Sequence, residues 1–381
     1  MIRLFGALLL LAASCSPLPA TVGALSSGFV SPAKVTKIRD LMPEHKTSSL
    51  GIGIIKNGKL IWTGYYGEQS PGIPVNSQTM FNTASVNKAV TTEAFLRLAT
   101  KGVVDLDEPI APYYVHPDLA DDPNYQKLTP RIILTHKTGL RNWAYEYEDG
   151  KLAFLNEPGS KYGYSGAGFM ILANFIQNKI GKPFPEIVKI EIFDRLGIEN
   201  ASVIQEKWMD KKTVRPVDKD GKFEKNFVLD HGYWNAADDL FISVEGYSKF
   251  LIGVMGGQEV GSDLVADRQR VQSDLTRNEI WGCDDGSVSP CPKPYGHGLG
   301  WFIFGYDGNL NIQHGGNDKS EAAIGYFETK TKDGMVIFIN APAPQGVLLW
   351  PKIVDILDED AKFTAVFHHV IAKFFEPKTD Q

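Results

Sequence analysis

The sequence predicts an α+β protein, in which an antiparallel sheet is flanked by N- and C-terminal helices and carries a mostly helical inserted domain. Strand-like apolar runs lie near the two ends of the chain, at residues 49–55, 60–66, 299–304, 322–327 and 335–340. Between residues 85 and 294, helical segments alternate with turns rich in Pro, Gly and Asp. The strands lie on both sides of this helical stretch, so their pairing into one sheet makes the stretch an insertion.

The individual elements follow from local signals. Residues 32–45 predict a helix, because Ser31 is a favourable N-cap and Pro32 suits the first helical position. Asn57-Gly58 separates the first two strands, and this dipeptide is the strongest short signal for a β-hairpin. Helices of the insertion are expected at residues 85–99, 167–180, 185–196 and 244–255.

A last helix is predicted at residues 363–375. Its apolar residues recur every three or four positions and therefore share one face: Phe363, Val366, Phe367, Val370, Ile371 and Phe374. An apolar face of this kind is normally buried against another apolar surface. We favour docking on the helix's own domain, and contact with a membrane or a partner protein is the alternative.

Composition excludes several classes of protein. The chain has 381 residues, of which 43% are hydrophobic and 22% charged, as in ordinary globular domains. The 39 basic and 45 acidic side chains form no long run of either sign, so no basic face for nucleic acid is expected. The three cysteines and eight histidines lack the spacing of a zinc or iron–sulfur site. Neither a metal nor an organic cofactor is expected.

The first 24 residues resemble an export signal. The apolar run from Leu4 to Ala13 follows Arg3 and is shorter than the ~20 residues that span a bilayer. The residues before Cys15 are similar to the lipobox of bacterial lipoproteins, although Ala12 stands where leucine is usual. The alternative is ordinary cleavage near residues 22–24. We therefore expect an exported protein, either periplasmic or anchored by a lipid on Cys15.

The other two cysteines, Cys283 and Cys291, enclose a short loop. Outside the cytosol such a pair predicts a disulfide, which contributes roughly 2–3 kcal/mol in the chain-entropy model. The alternative is a pair of unpaired thiols, which is less typical of an exported protein.

Ser85 and Lys88 form an S-x-x-K motif. Residues three apart share one helix face, so the lysine amine can reach the serine hydroxyl and accept its proton if the amine is partly neutral. Ser31 and Lys34 match the same pattern, where a helix cap is the simpler interpretation. The motif alone therefore leaves both catalysis and capping open for Ser85.

Two further segments narrow the choice. Tyr164 lies in a Gly- and Ser-rich turn at 158–166, before an apolar helix, and His314-Gly315-Gly316 lies between strand candidates. With the S-x-x-K motif before them, and with the segment 133–140, the chain resembles the serine β-lactamase and DD-peptidase superfamily. The likeness is greatest to the class C branch and to related esterases and D-amino-acid peptidases.

The resemblance covers residues 35–357 and implies a β-lactamase/transpeptidase-like fold. The sheet part would then comprise residues 35–84 and 295–357, and the helical part residues 85–294. Residues 358–381 would form a C-terminal helical extension.

The resemblance also implies roles for single residues. Ser85 would be the acylated nucleophile and Lys88 its proton acceptor, while Tyr164 would carry a proton to the leaving group. His314 would help to hold the substrate and polarise the tyrosine. Gly315 and Gly316, which follow it, would let the strand backbone approach a ligand. The backbone N–H groups of Ser85 and Asn317 would stabilise the oxyanion. Taken singly, Tyr164 and His314 would be more simply explained as a packed core tyrosine and a hydrogen-bonded strand histidine.

Two other patterns imitate catalytic motifs. Lys137-Thr138-Gly139 is a K-T-G triplet, but it precedes Tyr164 and so stands in the wrong order; we interpret it as structural. Ser165 lies in a sequence similar to the nucleophile elbow of α/β-hydrolases. A turn rather than a strand precedes it, which makes it the weaker candidate.

One departure from the family pattern bears on the substrate. Gly166 replaces the asparagine of the usual Tyr-x-Asn motif and removes a donor and an acceptor for the substrate amide. This change and the histidine at position 314 argue against an efficient β-lactamase. Residues 143–148 are expected at the rim of the pocket.

The sequence therefore predicts an exported serine hydrolase that forms an acyl-serine intermediate. Its substrate would be an amide or ester, such as a peptidoglycan-type peptide, a D-amino-acid amide or a small ester. The alternatives are a β-lactamase proper, a non-catalytic penicillin-binding lipoprotein of the cell wall, and an α/β-hydrolase that uses Ser165.

Overall fold

The structure is a computed structural model and describes residues 28–375. The predicted export signal with Cys15, and the last six residues of the chain, lie outside this range.

The chain forms one large antiparallel sheet and one small sheet. The large sheet has nine strands in the order β3-β2-β1-β12-β11-β10-β9-β8-β7, and the small one has the order β4-β6-β5. The twelve strands in chain order are β1 Ser49–Lys56, β2 Lys59–Ser70, β3 Ile73–Pro74, β4 Phe81–Asn82, β5 Ala201–Ser202, β6 Phe241–Ile242, β7 Ser273–Asp274, β8 Tyr295–His297, β9 Phe302–Tyr306, β10 Asn309–Asn317, β11 Glu321–Glu328 and β12 Gly334–Asn340. Strand β1 pairs with β12, with Ile52 opposite Ile337, so both ends of the chain build one sheet as predicted.

Nine α-helices surround and extend the sheet. They are α1 Pro32–Glu44, α2 Asn87–Thr100, α3 Pro130–Leu134, α4 Gly166–Ile180, α5 Phe184–Val188, α6 Val244–Met255, α7 Ser262–Arg268, α8 Gln345–Leu357 and α9 Thr364–Phe375 within the residues described. None of them is long and apolar enough to cross a membrane.

Most of the predicted elements are present. Asn57 and Gly58 have φ of +51° and +70°, the left-handed pair that the tight hairpin turn requires. The N–H of Lys34 donates to Ser31 Oγ at 3.4 Å, so the first S-x-x-K pattern is a helix cap, as interpreted. The helix expected at 185–196 is present, but a π-helical turn at 189–194 interrupts its α-helical geometry.

Other elements escaped the sequence analysis. The apolar pattern of strand β10 ends before the two glycines at positions 315 and 316. Its pairing with β11 continues beyond them, so the strand extends through His314 to Asn317. Helix α8 contains Pro351, which normally indicates the end of a helix. Strands β7 and β8 are too short to show a period.

Helices cover both faces of the large sheet, so one hydrophobic core lies on each face. Along β12, Val336 and Phe338 belong to the core shared with α2, α4 and α6. Ile337 and Ile339 belong to the core shared with α1, α8 and the start of α9. Phe363 and Val366 are buried, so the start of the apolar face of α9 docks on its own domain, whereas Phe374 near its end is 51% exposed.

Candidate active site

Ser85 lies in a short 3₁₀ turn, Ala84–Val86, between β4 and α2. Ala84 has φ of +48°, a conformation that residues with a Cβ rarely adopt. Its N–H donates to Asn82 Oδ1 at 3.2 Å, and the N–H of Thr83 donates to Leu240 O at 3.0 Å. The turn is thus held in a strained shape, as is common at active sites. Ser85 precedes α2 rather than opening it, which differs from the expectation.

Lys88 contacts the serine hydroxyl directly. Its Nζ lies 2.9 Å from Ser85 Oγ and donates to Ala237 O at 2.8 Å. The side chain is fully buried, and this burial lowers the pKa of Lys88 to about 7, although the negative charge of Asp238 opposes the change. A substantial share of the amine is therefore neutral near pH 7 and able to accept the serine proton.

The segment that holds Lys88 comes from a distant part of the sequence. Asn87 Nδ2 donates to Asn235 O at 2.8 Å and to Asp239 O at 3.0 Å, while Thr91 Oγ1 donates to Ala236 O at 2.6 Å. These bonds attach residues 235–239 along the first turns of α2 and bring Asp238 into the site. No motif indicates this segment, whose local signal is limited to the acidic pair Asp238-Asp239 before β6.

Tyr164 lies beside the same lysine. The Nζ of Lys88 is 4.8 Å from the centroid of its ring, and His136 stacks on it at a centroid distance of 4.4 Å. Burial raises the pKa of Tyr164, partly opposed by its interaction with Ser85. The phenol therefore keeps its proton and can serve as a donor.

Ser165, next to Tyr164, has a different role. Its Oγ accepts from the N–H of Gly168 at 3.1 Å and donates to Arg141 O at 2.9 Å. Ser165 thereby caps α4 and is almost completely buried. These contacts disfavour the α/β-hydrolase alternative.

His314 projects from β10 and is uncharged. Its Nδ1 lies 2.8 Å from Gly315 O, and because a carbonyl only accepts, Nδ1 carries the hydrogen and Nε2 the lone pair. Burial and the nearby Lys88 lower the pKa of His314 to about 3. Nε2 is buried and has no hydrogen-bond partner among the residues described. His314 can thus accept a hydrogen bond near Tyr164, whose ring centroid is 6.4 Å away, but it supplies no positive charge.

The two glycines after His314 differ in their surroundings. A Cβ on Gly316 would lie 2.2 Å from Thr83 O and 2.9 Å from the amide nitrogen of Ser85, whereas on Gly315 the nearest atom would be 3.6 Å away. Only glycine at position 316 lets β10 lie against the Ala84–Val86 turn that carries Ser85. This close approach puts Asn317 and Ser85 on the wall of one cavity.

We expect Gly316→Ala to destabilise the protein by about 1–3 kcal/mol, because backbone atoms of Thr83 and Ser85 would have to move. Gly315→Ala, the matched control, should change the free energy of unfolding by less than about 1 kcal/mol, since its Cβ meets only ordinary contacts. Urea denaturation of both variants measures the difference. Equal destabilisation would contradict the close packing at position 316.

Trp143 explains the absence of asparagine at position 166. A Cβ on Gly166 would lie 2.6 Å from the indole ring of Trp143, which fills that space. Asn142 Oδ1 accepts from the N–H of Gly166 at 2.7 Å, and Asn142 lines the cavity. Asn142 is a second site residue that the sequence analysis missed. Of the expected rim, Trp143 packs into the site, whereas Tyr145 is 77% exposed.

The remaining predicted residues lie outside the catalytic cluster. Lys137 Nζ donates to Gln272 O at 2.7 Å, which gives the K-T-G triplet a structural contact. Cys283 and Cys291 form a disulfide. Among residues 28–375, no cluster of His, Cys, Asp and Glu is arranged to hold a metal ion.

A cavity of about 540 Å³ opens in front of Ser85. One wall carries the candidate catalytic residues Ser85, Tyr164, His314 and Asn317. The structure thus brings together all the residues that the motifs indicated, and the arrangement can transfer an acyl group to a serine.

Comparison with known proteins agrees with this geometry. The family model described as Beta-lactamase matches residues 35–357. The D-alanyl-D-alanine-carboxypeptidase/endopeptidase AmpH of Escherichia coli (strain K12) is 28% identical over 161 residues, which are 36% of this chain and 40% of AmpH. Esterase EstB of Burkholderia gladioli is 31% identical over 97 residues, or 24% of each chain. The chain spans about half, or less, of the length of the curated relatives it matches.

The fold is also found in solved structures. The octameric penicillin-binding protein homologue from Pyrococcus abyssi superposes with a TM-score of 0.70 and 19% identity, over 91% of this chain and 82% of that chain. Because the family model covers most of the chain and the Ser85, Lys88 and Tyr164 cluster is in place, this protein belongs to the β-lactamase family of serine hydrolases.

Proposed function

We propose that this protein is a serine hydrolase that forms an acyl-enzyme on Ser85 and acts on esters or D-amino-acid amides, peptidoglycan-type peptides among them. The observation that carries the proposal is the 2.9 Å contact between Ser85 Oγ and Lys88 Nζ, together with the lowered pKa of that lysine. A nucleophile beside a partly neutral base is what acyl transfer requires.

Acylation follows from the positions of three side chains. The hydroxyl proton of Ser85 passes to the neutral amine of Lys88 while Oγ bonds to the substrate carbonyl carbon. The backbone N–H groups of Ser85 and Asn317 stabilise the oxyanion. As the bond to the leaving oxygen or nitrogen breaks, Tyr164 gives its proton to the leaving atom and receives the proton held by Lys88. Water then releases the acyl group by the same proton path in reverse.

The charges around the cavity favour substrates without a carboxylate. His314 is neutral and offers no cation for a carboxylate. Burial raises the pKa of Asp238 and of Glu321, and the negative charge of Asp318 raises both further. A further negative charge is unfavourable in such surroundings. This disfavours penicillins and peptides with a free carboxylate beside the scissile bond. It supports neutral esters, amides that carry an amine, and peptides whose scissile bond lies away from the C-terminus.

Intact-mass spectrometry tests the proposal. Wild type and Ser85→Ala are incubated with p-nitrophenyl acetate, with a D-amino-acid p-nitroanilide and with a penicillin. We expect turnover of the ester or the anilide, and an acyl adduct on wild type alone. Opened penicillin in solution would instead support a β-lactamase. Reversible binding of penicillin without adduct or turnover would support the non-catalytic lipoprotein.

We expect Asp238→Asn to move the acid limb of the pH profile to lower pH. The negative charge of Asp238 raises the pKa of Lys88, so its removal lowers that pKa further and keeps the amine neutral in more acidic solution. The measurement is kcat/KM for an ester between pH 5 and pH 9. Asp318→Asn is the control of opposite sign: its charge raises the pKa of Asp238, so without it Asp238 stays ionised and the acid limb should not move to lower pH. A limb that stays in place, or moves upward, would contradict this assignment.

Export of the protein is also a proposal. The support is the apolar segment before Cys15 and the disulfide between Cys283 and Cys291, a bond typical of oxidising compartments. The mass of the mature protein, purified from cell fractions, tests both export and lipidation. A lipid-sized increase that Cys15→Ala abolishes would establish the anchor, and an unprocessed cytosolic protein would refute export.

A further inference from the structure

The cavity in front of Ser85 has a second wall that carries no catalytic group. Three segments form it: helix α8, helix α9 and residues 278–281. Helix α9 lies beyond the part of the chain that matches the family model. Its contribution to the cavity is entirely apolar and consists of Phe367, Val370, Ile371 and Phe375.

Contacts between these segments hold the wall together. Phe367 of α9 packs edge-on against Trp350 of α8 at 4.6 Å and against Trp281 at 5.6 Å between ring centroids. Lys373 Nζ donates to Glu279 O at 2.6 Å, which joins α9 to the segment that precedes the disulfide. Helix α9 is thus attached on two sides of the cavity.

The apolar surface continues to the catalytic residues. Phe302 lies 5.5 Å from Trp281 and 6.3 Å from the ring of His314 between centroids, and it lines the same cavity. A substrate whose carbonyl reaches Ser85 would therefore place the group on one side of the scissile bond against this wall.

We propose that this apolar wall binds an alkyl chain or aryl group attached to the scissile ester or amide, and so determines substrate specificity. The inference rests on the proposed function. The cavity volume of about 540 Å³ lies within the range of small-molecule sites and exceeds the need of an acetyl group. Each methylene that leaves water for an apolar wall should raise kcat/KM by up to about fourfold.

The test measures kcat/KM in two ester series. One varies the acyl chain, with p-nitrophenyl acetate, butyrate and octanoate; the other varies the alcohol, with acetates of linear alcohols from two to eight carbons. We expect wild type to prefer the longest ester by at least tenfold in one of the series. The responsive series identifies which side of the scissile bond contacts the wall.

Neighbouring phenylalanines of α9 provide matched variants. Phe374 and Phe375 are 51% and 46% exposed, but only Phe375 lines the cavity. Phe375→Ala should reduce the long-to-short ratio of kcat/KM severalfold, whereas Phe374→Ala should leave it unchanged. Ile371→Asp, which puts a carboxylate on the wall, should bring the ratio close to one. If it does not fold, the phenylalanine pair alone decides.

Two results would overturn the inference while leaving the proposed function intact. One is an acyl adduct on Ser85 without any preference for chain length in either series. The other is an equal effect of Phe374→Ala and Phe375→Ala. Failure of the proposed function looks different, since then no ester, acetate included, would be hydrolysed or would label Ser85.

Discussion

Replacement of Ser85 by alanine should lower kcat by about 10⁴-fold or more, with no loss of folding. In the proposed mechanism, the hydroxyl oxygen of Ser85 forms the bond to the substrate carbonyl carbon, and alanine lacks this oxygen. Ser85 makes its close contact with Lys88, whose Nζ keeps a second partner in Ala237 O. The variant therefore leaves no buried amine without a hydrogen bond. Hydrolysis of the best ester and thermal unfolding measure the two effects.

Ser165→Ala is the matched control for this variant. Ser165 follows Tyr164 in the chain, and Tyr164 lines the cavity, but the Ser165 hydroxyl caps α4. Loss of such a cap costs about 1 kcal/mol of stability. We expect Ser165→Ala to unfold at a lower temperature and to retain hydrolysis. If Ser165→Ala abolished turnover and Ser85→Ala did not, the nucleophile would be Ser165 and the proposed mechanism would be wrong.

Replacement of Lys88 by methionine should lower kcat/KM by about 10²–10⁴-fold, the range for loss of a general base. Methionine fills much of the buried space of the lysine stem but cannot accept a proton. In wild type, kcat/KM should rise with pH through about 7, because protonated Lys88 below that pH cannot take the proton of Ser85. The acid limb should be absent from Lys88→Met.

The pH profile distinguishes loss of a base from mere structural damage. A damaged site would lower activity at every pH and keep the limb at the wild-type position. Lys34→Met, in the S-x-x-K pattern that caps α1, is the control and should keep the wild-type rate and profile. An unaltered acid limb in Lys88→Met would assign the proton acceptor to another group.

Much of the fold and the catalytic cluster could be predicted because their signals are local. The Asn57-Gly58 turn defines a hairpin through φ values that few residue pairs adopt. Ser85 and Lys88 are three residues apart, so the start of a helix suffices to bring their side chains together. The period of α9 likewise shows in the chain, since one face of a helix repeats every three or four residues.

The properties that decide chemistry and specificity depend on contacts between distant segments. Lys88 has a lowered pKa because it is buried under residues 235–239, about 150 positions away in sequence, and no local pattern reports that burial. Gly166 appears in the sequence as a missing asparagine, but only packing shows that Trp143 occupies its place.

The sequence by itself determined the order of the main elements and the family, and it indicated Ser85, Lys88, Tyr164 and His314 as candidate site residues, because motifs and periodicity are visible along the chain. Tertiary structure decided the charge state of Lys88 and His314, since desolvation depends on everything packed around a group. It also decided what the apolar face of α9 covers. That face is visible in the chain, but its position beside the nucleophile follows from docking on α8 and the segment at Trp281, which joins surfaces far apart in sequence.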